Sequence, residues 1–104
     1  MNIMEMMKQA AQLKSRMEEM QASLEQVEVE GLAGGGLVKV TLNGKSELKG
    51  VSIDASLLKP EEKEIVEDLI VAASADARRK AEAVMAEKTK ELTGGLPLPP
   101  GFKL

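Results

Sequence analysis

Arg78, Arg79 and Lys80 stand in succession, and Lys88 and Lys90 follow a few helical turns later. Guanidinium and ammonium groups gathered in this way suit one kind of chemistry, the neutralisation of a phosphate backbone. A run of this kind is also what a solvated helix face looks like, and the sequence leaves both readings open. On a first helix, Lys8, Lys14 and Arg16 would add to such a surface if the two helices lay side by side. Other reactive types offer less. The chain has no histidine and no cysteine, which removes the usual general base, the commonest metal ligand and any thiolate or disulfide. Carboxylates pair at Glu18-Glu19 and Glu61-Glu62, but adjacent helical residues point about 100° apart and do not share a site. Asp68 and Asp76 read as helix-surface ion-pairing groups, Asp76 having the favourable spacing to Lys80. Gly34-Gly35-Gly36 leads into a strand rather than a helix, so it does not form a phosphate cradle. No catalytic residue, metal site or cofactor is expected.

These cations need elements to carry them, and the hydrophobic pattern supplies two helices with a small sheet between them. Apolar residues recur at Ile3, Met6, Ala10, Leu13, Met17, Met20, Leu24 and Val27, in alternating steps of three and four. That spacing predicts one helix from about residue 2 to residue 25, with a single narrow apolar seam. Such a helix is about 36–40 Å long, more than a small domain needs to cover its own core. Its seam therefore reads as a surface for self-association. A strand begins near Val27, with Val29 and Leu32 on its apolar side, and Gly31 breaks the pattern. Leu37 to Leu42 alternate as a second strand, and Asn43-Gly44 signals a hairpin. A three-residue loop ending at Gly44 would set Val38 opposite Leu48 and keep apolar partners together. Leu48 and Val51 differ in parity, so a bulge is expected near Gly50. Pro60 suits the first turn of a second helix reaching about Leu92, buried along Val66, Leu69, Ile70, Ala73, Ala77, Ala81 and Val84. Thr93-Gly94-Gly95 should end it.

The expected class is α+β: a long N-terminal helix, a three-stranded antiparallel sheet and a long C-terminal helix. One domain over residues 1–93 and a Gly/Pro-rich tail over 94–104 are expected. The sole aromatic residue, Phe102, falls in that tail, so the core must be aliphatic and no aromatic platform is available for stacking single-stranded bases. Residues 1–20 carry Glu5, Lys8 and Lys14 and do not resemble a signal peptide. The longest apolar run, Leu69 to Ala73, is far too short to span a bilayer. A soluble cytoplasmic protein without a membrane partner is the expectation.

Several stretches resemble the YbaB/EbfC family. They are Met4-Glu5-Met6-Met7-Lys8-Gln9-Ala10, Gly35-Gly36-Leu37-Val38-Lys39-Val40, the Asn43-Gly44 turn, Asp68 to Ala77, the Arg/Lys run after it, and Leu92-Thr93-Gly94-Gly95-Leu96-Pro97. The resemblance covers essentially the whole chain in order. It implies a bacterial nucleoid-associated protein that forms a tweezer-shaped homodimer and binds duplex DNA without a cofactor. The matching DNA-contact residues would be Lys8, Lys14, Arg16, Arg78, Arg79, Lys80, Lys88 and Lys90. An alternative is an adaptor for DNA replication or repair proteins, docking through its helices or Pro-rich tail with little DNA contact of its own.

Overall fold

Helix, sheet and helix form in the expected order. In the computed structural model, which describes residues 2–92, helix α1 runs Ile3–Gln26, strands β1, β2 and β3 run Glu28–Ala33, Val38–Asn43 and Leu48–Ile53, and helix α2 runs Lys63–Leu92. Short 3-10 turns at Ala55–Leu57 and Pro60–Glu62 lead into α2. The expected stop at Thr93-Gly94-Gly95 and the tail 94–104 lie outside the described residues.

The three strands make an antiparallel meander in the order β1-β2-β3. Val38, Val40 and Leu42 point to one face and are buried there with Leu57, Ala73 and Ala77. Val29, Ala33, Ile53, Val66, Leu69 and Ile70 pack around them, so α2 uses the stripe its periodicity predicts. It lies mainly across β1 and β2. On β3, Leu48 and Val51 consequently stay exposed.

Three local expectations change. Gly31 does not break β1; it is paired with Val40 and buried beneath α2. A Cβ there would stand 2.0 Å from the Ala73 carbonyl oxygen and 2.3 Å from the Ala77 nitrogen, so only glycine admits the helix backbone at this distance. Leu32 belongs to the outer face with Glu28 and Glu30, not to the buried side. The hairpin loop is also displaced: Leu42 pairs with Leu48, and Val38 with Ile53. Three loop residues remain, but they are Gly44, Lys45 and Ser46, closed by the Asn43 N–H on the Glu47 carbonyl at 3.0 Å.

Asn43 itself explains the displacement. Its buried side-chain oxygen accepts the N–H groups of Lys45 at 2.9 Å and Glu47 at 3.0 Å, while its amide donates to the Glu47 carboxylate at 2.7 Å. These bonds favour the wider loop over a tight turn. They also hold the Glu47 carboxyl below its ordinary range, chiefly through the Asn43 hydrogen bond. The left-handed residue is Ser46, at φ 66°, rather than Asn43 or Gly44. Gly44 has a different purpose: its N–H donates to the Leu24 carbonyl at 2.8 Å, and a Cβ would meet that same oxygen at 2.8 Å. The bulge falls where expected. Thr41 pairs with Gly50 and Leu42 with Leu48, leaving Lys49 as the extra residue, and this returns Leu48 and Val51 to one face.

Helix α1 is anchored at one end only. Its N-terminus is capped by Asn2, whose side chain accepts the Met4 N–H, and its last turns bury Met20 and Leu24. The seam beyond is uncovered, with Ile3 72%, Met6 53% and Leu13 47% exposed. A radius of gyration of 19.1 Å, against about 13 Å for a compact chain of this length, reflects the elongated shape.

Gly31→Ala should destabilise the fold by at least the ~1–3 kcal/mol typical of overpacking, because the obstacle is backbone rather than a side-chain tip. Chemical denaturation followed by circular dichroism measures it.

Candidate nucleic-acid interface

The basic triplet is divided by the helix that carries it. Three consecutive residues fan over about 200° of helix circumference, so Arg78, Arg79 and Lys80 cannot form one surface. Lys80 turns toward β1. Its ammonium donates to the Glu30 carbonyl at 2.7 Å and lies 3.1 Å from the Asp76 carboxylate. Arg79 pairs with the other carboxylate oxygen of Asp76 at 3.3 Å, across one turn of exposed helix. Arg78 is exposed and makes no ion pair among the described residues.

Asp76 is the residue that organises this cluster. The sequence spacing correctly pairs it with Lys80, but its second contact was not visible there. Its Oδ2 also accepts the Leu32 N–H at 3.0 Å. Strand β1 lies at the edge of the sheet, where backbone groups of this kind have no neighbouring strand. Asp76 and Lys80 together satisfy one donor and one acceptor of that edge, fastening α2 to β1. The Leu32 hydrogen bond, followed by the Lys80 side chain, holds the Asp76 carboxyl below its ordinary value of 3.8.

The remaining candidates are spread along the two helices. Lys8, Lys14 and Arg16 are exposed on the free part of α1, without ion-pair partners among the described residues. Lys88 is half-buried, and Lys90 is exposed in the last turn of α2. The two helices approach each other around Met20, Leu24 and Met85, which line a shallow depression with Gln21 and Lys45. Lys8 lies about 18 Å along the α1 axis from Met20. Within one copy, then, the α1 cations stand on a projecting arm and the triplet on the sheet-bound part of α2.

Other features offer little chemistry. An open groove along Leu57, Leu58, Pro60 and Val66 is apolar, and its charged rim is partly neutralised by a Lys63–Glu67 pair at 3.2 Å. Gly35 and Gly36 have no atom within 4 Å of where a side chain would begin. Among the described residues, no group of three or more His, Cys, Asp or Glu is placed to hold a metal ion. No helix among them is long and apolar enough to cross a membrane.

Two long helices mounted on a three-stranded sheet, with cations along both, define a small α+β protein of helix–sheet–helix type. The chain belongs to the YbaB/EbfC DNA-binding family, whose sequence profile matches residues 1–96. It is 67% identical over 99 residues to a nucleoid-associated protein of Rhodopseudomonas palustris strain HaA2, a match covering 95% of this chain and 93% of the relative. A nucleoid-associated protein of Bradyrhizobium sp. strain ORS 278 is 65% identical over 97 residues, covering 93% and 92% of the two chains. The fold is shared with the crystal structure of HP0035 from Helicobacter pylori, at a TM-score of 0.80 and 24% identity, over 90% of this chain and 99% of that one.

Because the Asp76 carboxyl titrates below its unfolded value, its stabilisation is full above that value and is lost as pH falls through the lower, folded one. Asp76→Ala should therefore lower stability at neutral pH, and the gap from wild type should close as pH drops below about 4. Urea melts across a pH series provide the check.

Proposed function

We propose that this protein binds duplex DNA as a homodimer, through phosphate contacts, and organises or regulates the bacterial nucleoid. The observation that carries the reading is a set of cations on the two helices that the fold leaves unused. Lys8, Lys14, Arg16, Arg78 and Lys88 make no ion pair among the described residues, although acids outnumber bases 17 to 14 along the chain. Membership of a DNA-binding family and relatives named nucleoid-associated proteins support it. The same names favour a site of action at the nucleoid. The DNA-binding unit in this reading is residues 1–93, with 94–104 appended to it, and Arg79, Lys80 and Lys90 complete the basic set.

Phosphate contacts fix position without reading bases, so binding is expected to be salt-sensitive and broad in sequence. The formal charge of −3 per chain opposes long-range attraction, which leaves the local cations to act at short range. With about four phosphates neutralised, log K should fall with log salt at a slope of roughly −3 to −4.

A homodimer gives the free part of α1 something to pack on. Ile3 to Arg16 is about fourteen residues, a length at which an isolated helix is marginal in water. A twofold pairing lets one seam cover the same seam of a second copy.

Charge reversal at Arg78→Glu with Arg79→Glu should abolish binding to a labelled duplex in fluorescence anisotropy while the dimer persists; unchanged affinity would remove this surface from the interface. Leu13→Asp should give a monomer or an unfolded chain in analytical ultracentrifugation. A stable dimer of wild-type mass would place the contact elsewhere.

A further inference from the structure

We propose that Asp76 is an intramolecular competitor for phosphate, drawing Arg79 and Lys80 away from DNA so that Arg78 alone of the triplet is free to bind it. The inference rests on the DNA-binding reading above and divides its residues into those available and those withheld. Asp76 lies 3.3 Å from the Arg79 guanidinium and 3.1 Å from the Lys80 ammonium. A phosphate approaching either cation meets a carboxylate already in place, whose charge repels it. Asp76 is not free to swing aside, because the Leu32 N–H of the neighbouring strand holds Oδ2 at 3.0 Å. Lys80 is withheld more completely, since its second oxygen partner is the Glu30 carbonyl at 2.7 Å. Of the other acids close in the fold or along the helix, the Glu30 carboxylate faces Lys39 at 3.6 Å and Glu82, one turn beyond Arg79, makes no ion pair among the described residues, so the competition falls to Asp76.

Position on the helix determines which cation escapes. Arg78 is about 200° around the axis from Asp76, on the far side from the carboxylate. Arg79, one residue on, comes back within reach across a single turn. The sequence Asp-Ala-Arg-Arg-Lys thus offers one available cation where three appear.

The full chain, bound to a labelled mixed-sequence duplex and followed by anisotropy across a salt series, separates these roles. Arg79→Gln alone should leave the slope of log K against log salt at the wild-type value. Asp76→Asn keeps an oxygen for the Leu32 N–H but removes the charge. It should tighten binding several-fold at fixed salt and steepen the slope by about one unit for each copy whose Arg79 gains a phosphate. Asp76→Asn combined with Arg79→Gln should return the slope to wild type. Flattening by Arg79→Gln alone, an unchanged slope in Asp76→Asn, or a gain that survives the loss of Arg79 would each overturn the proposal. Should Asp76→Asn fail to fold, Arg79→Gln in the wild-type background decides. Absence of binding by wild type at low salt would instead overturn the DNA-binding reading itself.

Discussion

The close approach of α2 to β1 is the constraint on which the rest of the structure depends. Gly31 lies under Ala73 and Ala77 at a distance that leaves no room for a side chain. Small residues on both elements bring two backbones together, and dispersion across that contact replaces what a bulky aliphatic layer would supply. Polar consequences follow from the same approach. At this separation the Asp76 carboxylate reaches the Leu32 N–H and the Lys80 ammonium reaches the Glu30 carbonyl. The helix thereby covers the apolar face of β1 and also satisfies part of its open edge.

Coverage by α2 is incomplete, and that incompleteness shapes the molecule. With the helix seated over β1 and β2, the apolar residues Leu48 and Val51 of β3 remain in contact with solvent. The α1 seam is likewise buried only where Met20 and Leu24 meet the body of the protein. A chain of this size can bury only a modest core. Continuous apolar surface on an arm and on a sheet is the form expected of a protein completed by association, which the proposed homodimer provides.

Affinity for a polyanion in an acidic chain requires that charge be arranged locally, and ion pairing within the fold does the arranging. Lys39, Lys45, Lys63, Arg79 and Lys80 face carboxylates in the same chain, whereas Lys8, Lys14 and Arg16 of the first helix and Arg78 do not. Exposed pairs of this kind contribute little to stability, about 0–1 kcal/mol each. In the proposed binding to DNA, their larger effect is on which cations are left to meet a phosphate.

Local pattern carried much of this into the sequence. Period-3.6 and period-2 alternation marked both helices and all three strands, because a helix or strand that buries one face must repeat its apolar residues at its own pitch. The parity change between Leu48 and Val51 marked the bulge at Lys49, and four-residue spacing marked the Asp76–Lys80 pair. The hairpin register was not legible, because the turn signal at Asn43-Gly44 does not reveal that Asn43 will be buried with its side chain bonded to Lys45 and Glu47. Gly31 read as a breaker for a similar reason: only the arrival of α2 makes a missing side chain an advantage. The division of Arg78, Arg79 and Lys80 was equally hidden. Asp76 meets Leu32 across 44 residues of chain and Lys80 meets Glu30 across 50. Contacts at that separation depend on how closely two elements pack, a distance that no local periodicity encodes. Sequence alone determined which elements form and which cations exist; tertiary structure decided which of those cations remain free.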